Sequence, residues 1–253
     1  MEIVREILIG SIVGFLSGLF GMGGSGIATP LIKTFLEVSP LLALATPLPV
    51  TIPSAVSGAY AYSKQGLVNY RVALYTALFG VPGMIVGALL TKYITGKELM
   101  LGTAVFVGLI GISFLYRGQL MASETGERQY SVWTFASIGG IVGLISGVLA
   151  NGGGILLVPI FVKILKMPIK EAFATSLVLV ALIAVPGSVA HLLLGHIDIK
   201  LMLTLSLGVL PMAYLGAKVA IRSKPEWLEK LYGAMMILFA IYFFLTELRQ
   251  PIG

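Results

Sequence analysis

Two glycine-rich runs hold the residues best placed to do chemistry. The first reads GFLSGLFGMGGSGIATP from Gly14 to Pro30, and the second reads GLISGVLANGGGILLVP from Gly143 to Pro159. Glycine lacks a Cβ, so closely spaced glycines can take backbone angles that aim several N–H groups into one cavity. A helix broken at such a run also presents the N-terminal end of its second arm, where partial positive charge and unpaired N–H donors suit an anion. Gly23, Gly24, Ser25 and Gly26, with Asn151, Gly152, Gly153 and Gly154, are therefore candidate anion-binding residues. The competing reading is mechanical: the glycines permit bending and tight packing, Ser25 caps the following helix, and Asn151 bonds a nearby carbonyl. Thr46, Thr175 and Ser176 open the next apolar stretches, where a hydroxyl can either donate to an anion or return a hydrogen bond to the preceding helical turn. Neither run is a nucleotide loop, because no G-x-x-x-x-G-K-[ST] occurs and Gly96-Lys97-Glu98 fails at its last position.

Other chemistries lack their residues. All eleven acids (Glu2, Glu6, Glu37, Glu98, Glu124, Glu127, Glu171, Asp198, Glu226, Glu229 and Glu247) lie at or near the ends of apolar segments. That placement disfavours a mid-membrane cation site or carboxylate proton relay. There is no cysteine, and the two histidines, His191 and His196, form no H-E-x-x-H. His191 reads as a structural imidazole, Lys218 as a snorkelling side chain, and His196 with Asp198 as a poor catalytic pair. Neither an enzymatic centre nor a cofactor is expected. Basic residues fall between apolar runs rather than in a clustered patch, so a nucleic-acid partner is not expected either.

The elements that position these residues must be membrane helices. Of 253 residues, 57% are hydrophobic and 11% charged, too few polar groups to cover a soluble monomer. At about 20 residues per crossing the chain accommodates roughly eight helices. Eight apolar stretches can be drawn: Ile3–Leu36, Leu41–Ser63, Val72–Leu90, Leu99–Tyr116, Trp133–Leu165, Ala172–Leu194, Leu201–Ala220 and Leu228–Leu245. They are apolar all round, unlike the alternating strands of a barrel. The opening residues lack a positive leader and a cleavage sequence, so the first stretch is expected to stay in place. The expected class is an all-α polytopic protein of the cell membrane, one domain over 1–253 in contact with lipid.

The chain also repeats itself at a constant offset of 129 residues. Gly10, Gly14 and Gly18 align with Gly139, Gly143 and Gly147; Ser17 aligns with Ser146, Gly23-Gly24 with Gly152-Gly153, and Pro30 with Pro159. The register continues through Ala43, Ala45 and Thr46 against Ala172, Ala174 and Thr175, then Gly58 against Gly187 and Pro82 against Pro211. Two homologous halves, approximately 1–117 and 132–246, are expected on either side of the polar connection Arg117–Ser131. The first stretch of each half is too long for one crossing, so it is either a long broken helix or a re-entrant hairpin. Four full crossings per half would leave the copies parallel, whereas three plus a re-entrant pair would invert the second.

With its paired GLFGMGGSGIATP and GVLANGGGILLVP sequences, and Ala43-x-Ala45-Thr46 and Ala172-x-Ala174-Thr175-Ser176 downstream, the chain resembles the TauE/SafE family of sulfite exporters and related anion permeases. The resemblance spans nearly the whole chain. It implies a secondary carrier for a small anion such as sulfite, a sulfonate or a related organic anion, working by alternating access with or without a coupling proton or ion. It also implies that the glycine turns and the Ala-Thr-Ser region share one permeation site. The residues alone leave a passive anion channel and a non-transporting membrane scaffold as the alternatives.

Overall fold

The computed structural model describes residues 2–36, 38–93, 105, 109, 112, 130–150 and 152–248. Of the stretch Leu99–Tyr116, only Val105, Leu109 and Ile112 are among them, and all three are helical. Asn151 and residues 117–129 of the polar connection lie outside the described residues.

The first long apolar stretch divides into α1 (Glu2–Phe20) and α2 (Ser25–Leu36). Next come α3 (Pro40–Ala45) and α4 (Pro47–Ser63), which form one apolar run divided at Thr46, where Pro47 opens the second helix. Helix α5 spans Tyr70–Leu90. Beyond the polar connection lie α6 (Val132–Leu149), α7 (Gly154–Lys163), α8 (Ile169–Leu193), α9 (Ile199–Arg222) and α10 (Pro225–Leu248). The polar residues between apolar runs start several helices: Asn69 accepts from the Val72 amide at 3.1 Å, and Asp198 accepts from the Leu201 amide at 3.0 Å. Element starts keep the sequence offset: Ser25 and Gly154, Pro40 and Ile169, and Tyr70 and Ile199 each lie 129 residues apart.

Six described helical stretches are long and apolar enough to cross a membrane: Ile3–Phe20, Pro40–Ser63, Tyr70–Leu90, Val132–Leu149, Ile169–Leu193 and Ile199–Arg222. The protein is an all-α, multi-pass integral membrane protein. At 1.5 Å per residue, α2 and α7 reach only about 18 and 15 Å, half of a hydrocarbon core of about 30 Å. Each folds back on the helix before it, with Gly24 seated against Val13 and Ser17 of α1, and Gly153 against Val142 and Ser146 of α6.

Glycine ridges set how the halves engage. Gly10, Gly14 and Gly18 of α1 lie against the carbonyls of Leu205, Val209 and Ala213 on α9. Gly139, Gly143 and Gly147 of α6 lie against the carbonyls of Thr76, Gly80 and Met84 on α5. A Cβ at any of these six positions would overlap the facing backbone, so the approach depends on small residues. Both series ascend together, making α1 parallel to α9 and α6 parallel to α5. Ser57 of α4 donates to the Leu210 carbonyl at 2.6 Å and Tyr60 lies beside Tyr214, so α4 is also parallel to α9. Helix α8 is antiparallel to α4, with Leu177 against Gly58 and Leu48 against Gly187, and parallel to α5, with Ile183 against Gly80 and Met84 against Gly187. Hence α1 and α4 point one way and their counterparts α6 and α8 the other.

Apolar side chains cover the outside as well as filling the core. Leu74 and Leu78 of α5 and Leu203 and Leu207 of α9 face outward, while Ser17, Ser25, Thr46, Thr51, Ser54, Ser146, Thr175 and Ser176 are buried. Lipid tails accept the first group, and the hydroxyls other than that of Ser146 find polar partners inside.

Candidate functional site: two glycine turns at one crossing point

The last turn of α1 ends with the Gly21 and Met22 amides donating to the Ser17 carbonyl at 2.8 and 3.3 Å. Gly21, Gly23 and Gly24 then take φ of +70°, +75° and +104°, and the chain reverses into α2. In the second half Ala150, Gly152 and Gly153 take φ of +48°, +64° and +79°. These positions correspond at the 129-residue offset, so both turns follow the same left-handed path, with Ala150 accepting the strain that Gly21 avoids. Each turn launches its helix identically: the Gly24 carbonyl accepts from the Ala28 amide at 2.9 Å, and the Gly153 carbonyl from the Leu157 amide at 3.0 Å. Pro159 brings no N–H for the Ile155 carbonyl one turn back, and the Tyr232 hydroxyl of α10 donates there instead, at 3.2 Å.

The two turns meet. Gly154 rests on the Met22 backbone with no room for a Cβ, and Gly26 faces the Ile155 side chain. The N-terminal ends of α2 and α7 therefore share one crossing point. Thr51 of α4 and Val180 of α8, themselves 129 residues apart, line both turns: an added Cβ at Gly152 would sit 3.5 Å from Thr51 Oγ1 and 3.5 Å from Val180 Cγ1, and one at Gly23 would touch both side chains as well. Thr51 escapes a search for identical pairs because its counterpart is valine. The signal available in the sequence was a hydroxyl between Pro49 and Pro53 at mid-span. Its proton goes to the Leu48 carbonyl at 2.6 Å.

Among the candidates from sequence, Gly23, Gly24, Ser25, Gly26, Gly152, Gly153 and Gly154 converge here. Ser25 is fully buried at the start of α2. Ser176 reaches across from α8, its hydroxyl 2.6 Å from the Gly21 carbonyl and 2.9 Å from the Phe173 carbonyl, and so holds the first turn from the opposite half. Thr46 and Thr175 engage other partners. The Thr46 hydroxyl accepts from the Asp198 amide, and the Thr175 hydroxyl from the Asn69 amide, each at 3.0 Å. Those amides belong to the α8–α9 and α4–α5 connections, at opposite ends of the bundle.

One further pair flanks the turns. Tyr62 donates its hydroxyl to the Gly18 carbonyl at 3.0 Å, and His191, its counterpart at the 129-residue offset, places Nε2 3.3 Å from the Gly147 carbonyl. A carbonyl only accepts, so Nε2 carries the proton, and His191 Nδ1 accepts from His196 Nδ1 at 3.3 Å. Burial lowers the His196 pKa below the usual histidine value, which favours this neutral arrangement.

Among the described residues, Glu6 is the only buried acidic or basic side chain apart from His191. It lies about 20 Å along α1 from the first turn. Two helix N-termini, each equivalent to roughly half a positive charge, meet at the crossing point with no carboxylate beside them, and the last carbonyls of α1 and α6 that could oppose them at Ser17, Gly18 and Gly147 are met by the Gly21 and Met22 amides, Tyr62 and His191. Such a place suits an anion and repels a cation.

A family model described as sulfite exporter TauE/SafE matches residues 7–243. The chain belongs to the TauE/SafE family. Similar curated relatives include the probable membrane transporter protein YunE of Bacillus subtilis, 27% identical over 242 residues that cover 87% of each chain. A second Bacillus subtilis protein, the probable membrane transporter protein YdhB, is 28% identical over 217 residues, covering 84% of this chain and 88% of its own. A probable membrane transporter protein of Xylella fastidiosa strain 9a5c is 28% identical over 239 residues, covering 92% of this chain and 91% of its own. TauE/SafE membership and the six apolar spans assign the protein to membrane transport rather than to an enzyme class.

Proposed function

We propose that this TauE/SafE member is a secondary carrier that moves a small oxyanion, such as sulfite, a sulfonate or a related organic anion, by alternating access. The observation that carries this reading is the meeting of the α2 and α7 N-termini at two glycine turns with no buried carboxylate nearby. Gly23, Gly24, Ser25 and Gly26 with Gly152, Gly153 and Gly154 form the anion site. Ser176 holds the first turn in shape, and Asn151 sits in sequence within the second.

The architecture suits such a carrier. The protein has eight membrane elements in two homologous halves, related by duplication and inverted in the membrane, each opening with a re-entrant pair. Opposite helix directions and element starts that recur at one offset support this, and inverted repeats are a common construction for secondary carriers. The Thr46–Asp198 and Thr175–Asn69 bonds act as latches on opposite sides. With both closed the anion is enclosed, and release of one at a time exposes the site to one side. Simultaneous closure favours a carrier over an open channel.

The test is counterflow in vesicles containing the purified protein. Internal sulfite, methanesulfonate or acetate should accelerate uptake of labelled sulfite with saturation, and imposed pH gradients should reveal any coupled proton. Continuous unitary currents would instead identify a channel. Absence of both flux and binding for every small anion tried would leave a scaffold.

A further inference from the structure

The two halves differ at one buried hydroxyl. In the first half Ser17 of α1 accepts a hydrogen bond from Ser54 of α4 at 2.7 Å, and both are fully buried. The counterpart of Ser17 is Ser146 of α6, but the counterpart of Ser54 is Ile183. Ser146 is fully buried, and its hydroxyl has no hydrogen-bond partner among the described residues, not even the preceding helical turn that a buried helical serine ordinarily uses. It is aimed at the second glycine turn: the Ser146 Oγ lies 2.6 Å from where a Cβ on Gly153 would sit.

Three other buried side chains also have unpaired atoms, and none of them meets a turn in this way. Glu6 lies near the start of α1, Thr76 belongs to the α5 face packed on Gly139, and Ser188 lies near the C-terminal end of α8. Among these four, Ser146 alone combines complete burial with contact to Gly153, the glycine that caps α7. The N–H groups of a first helical turn lack intrahelical acceptors. A ligand that meets those donors and a hydroxyl together must be rich in acceptor lone pairs, which describes an oxyanion.

We propose that Ser146 donates its hydroxyl proton to an oxyanion held against the Gly152–Gly153 turn, so that the second half binds the substrate, while in the first the Ser17 oxygen is drawn toward Ser54 and stands 3.6 Å from where a Cβ on Gly24 would sit, against 2.6 Å for Ser146 at Gly153. This rests on the carrier reading and adds an asymmetry to it. Geometric likeness between the halves does not make them equal as binding surfaces, because one substitution, serine for isoleucine at corresponding positions, decides which hydroxyl is drawn toward a neighbouring helix and which faces its glycine turn.

The test compares Ser146→Ala with Ser17→Ala in vesicles and in detergent, with sulfite as the probe. Loss of a hydrogen bond to a charged group should raise the half-saturation concentration of Ser146→Ala about ten-fold or more. Its thermal midpoint should equal or exceed that of the wild type, since the change removes an unpaired buried hydroxyl. Ser17→Ala should do the reverse, keeping half-saturation within about two-fold and lowering the midpoint, because Ser54 loses its partner. A second variant, Ile183→Ser, offers the Ser146 proton an acceptor on α8, and should weaken sulfite in the same direction as Ser146→Ala. Unchanged half-saturation in Ser146→Ala, or equal weakening by Ser146→Ala and Ser17→Ala, overturns the assignment of Ser146 while leaving the carrier standing. A wild-type protein that neither binds nor moves sulfite, methanesulfonate or acetate overturns both.

Discussion

The Thr46 hydroxyl accepts a hydrogen bond from the Asp198 amide at 3.0 Å, joining residues 152 positions apart. The same relationship recurs between Thr175 and Asn69, again at 3.0 Å. Both amides belong to cap residues, since Asp198 starts α9 and Asn69 starts α5. Each half therefore grips the other by one hydroxyl, at opposite ends of the bundle.

Breaking one grip should open one side. A valine at Thr46 keeps the shape but strands the Asp198 amide, a loss of about 1–3 kcal/mol that shifts an opening equilibrium roughly 5- to 150-fold. The chain contains no native cysteine, so a single reporter is simple to introduce. Ile197→Cys should react faster with an impermeant thiol reagent in the Thr46→Val background, and Val68→Cys faster in Thr175→Val. Equal labelling in wild-type and variant backgrounds would reject the latch.

Ile197 and Val68 also test the inversion. They occupy corresponding places in the α8–α9 and α4–α5 connections, and opposite helix directions place them on opposite membrane faces. In right-side-out vesicles, one reporter should react with impermeant reagent and the other only after permeabilisation. Labelling of both from one side would establish parallel copies.

The glycine ridges predict a sharp contrast in stability. Gly14→Leu and Gly143→Leu would drive side chains into the Val209 and Gly80 backbones and should lower stability by more than about 4 kcal/mol, read as lost expression and a collapsed melting transition. Gly140→Ala meets nothing within 4 Å and should be neutral or stabilising by about 0.5–1 kcal/mol in the same melts.

At the turns, flux and folding should separate. Gly24 and Gly153 combine positive φ with close neighbours, so bulky substitutions should suppress sulfite flux while folded protein still reaches the membrane. Gly195→Ala is the control: its φ is +72° but nothing lies within 4 Å, so it should lose only about 1–2 kcal/mol of stability from left-handed backbone strain and keep its flux. Full flux in a Gly153→Leu protein would remove that turn from the site.

Acid should loosen the second half through His196. Burial lowers its folded pKa from the ordinary 6.5, so between those values the unfolded chain binds more protons than the folded one. Stability is then present above about pH 6.5 and declines as pH falls through that window. Melting measured from pH 7.5 to 5.5 should show a steeper decline for the wild type than for His196→Gln, and identical slopes would exclude the contribution.

Much of the architecture could be read from sequence because membrane helices announce themselves by length and apolarity, and because Gly23-Gly24 and Gly152-Gly153 repeat as identical residues. The grips between halves could not be read that way. Asn69 pairs with Asp198, Tyr62 with His191 and Thr51 with Val180, so corresponding positions are preserved while their chemistry differs, and a search for identities passes over them. Thr46 and Thr175 stood out as hydroxyls, yet which backbone amide each meets depends on helices more than a hundred residues away. The path of the first long stretch likewise depends on packing: Gly24 lies back against Val13 and Ser17, a contact that the sequence does not announce.

The cross-packing of α1 on α9 and α6 on α5 bears on how the molecule is made. When α1 leaves the ribosome, the helix that fills its groove at Gly10, Gly14 and Gly18 is still unsynthesised, and it remains so until most of the second half has been translated. The first half has no way to finish itself. Its α1 must wait in the bilayer, held by lipid, until α9 arrives, so the natural assembly unit is the whole chain, and two separately expressed halves would have to find each other before either could settle.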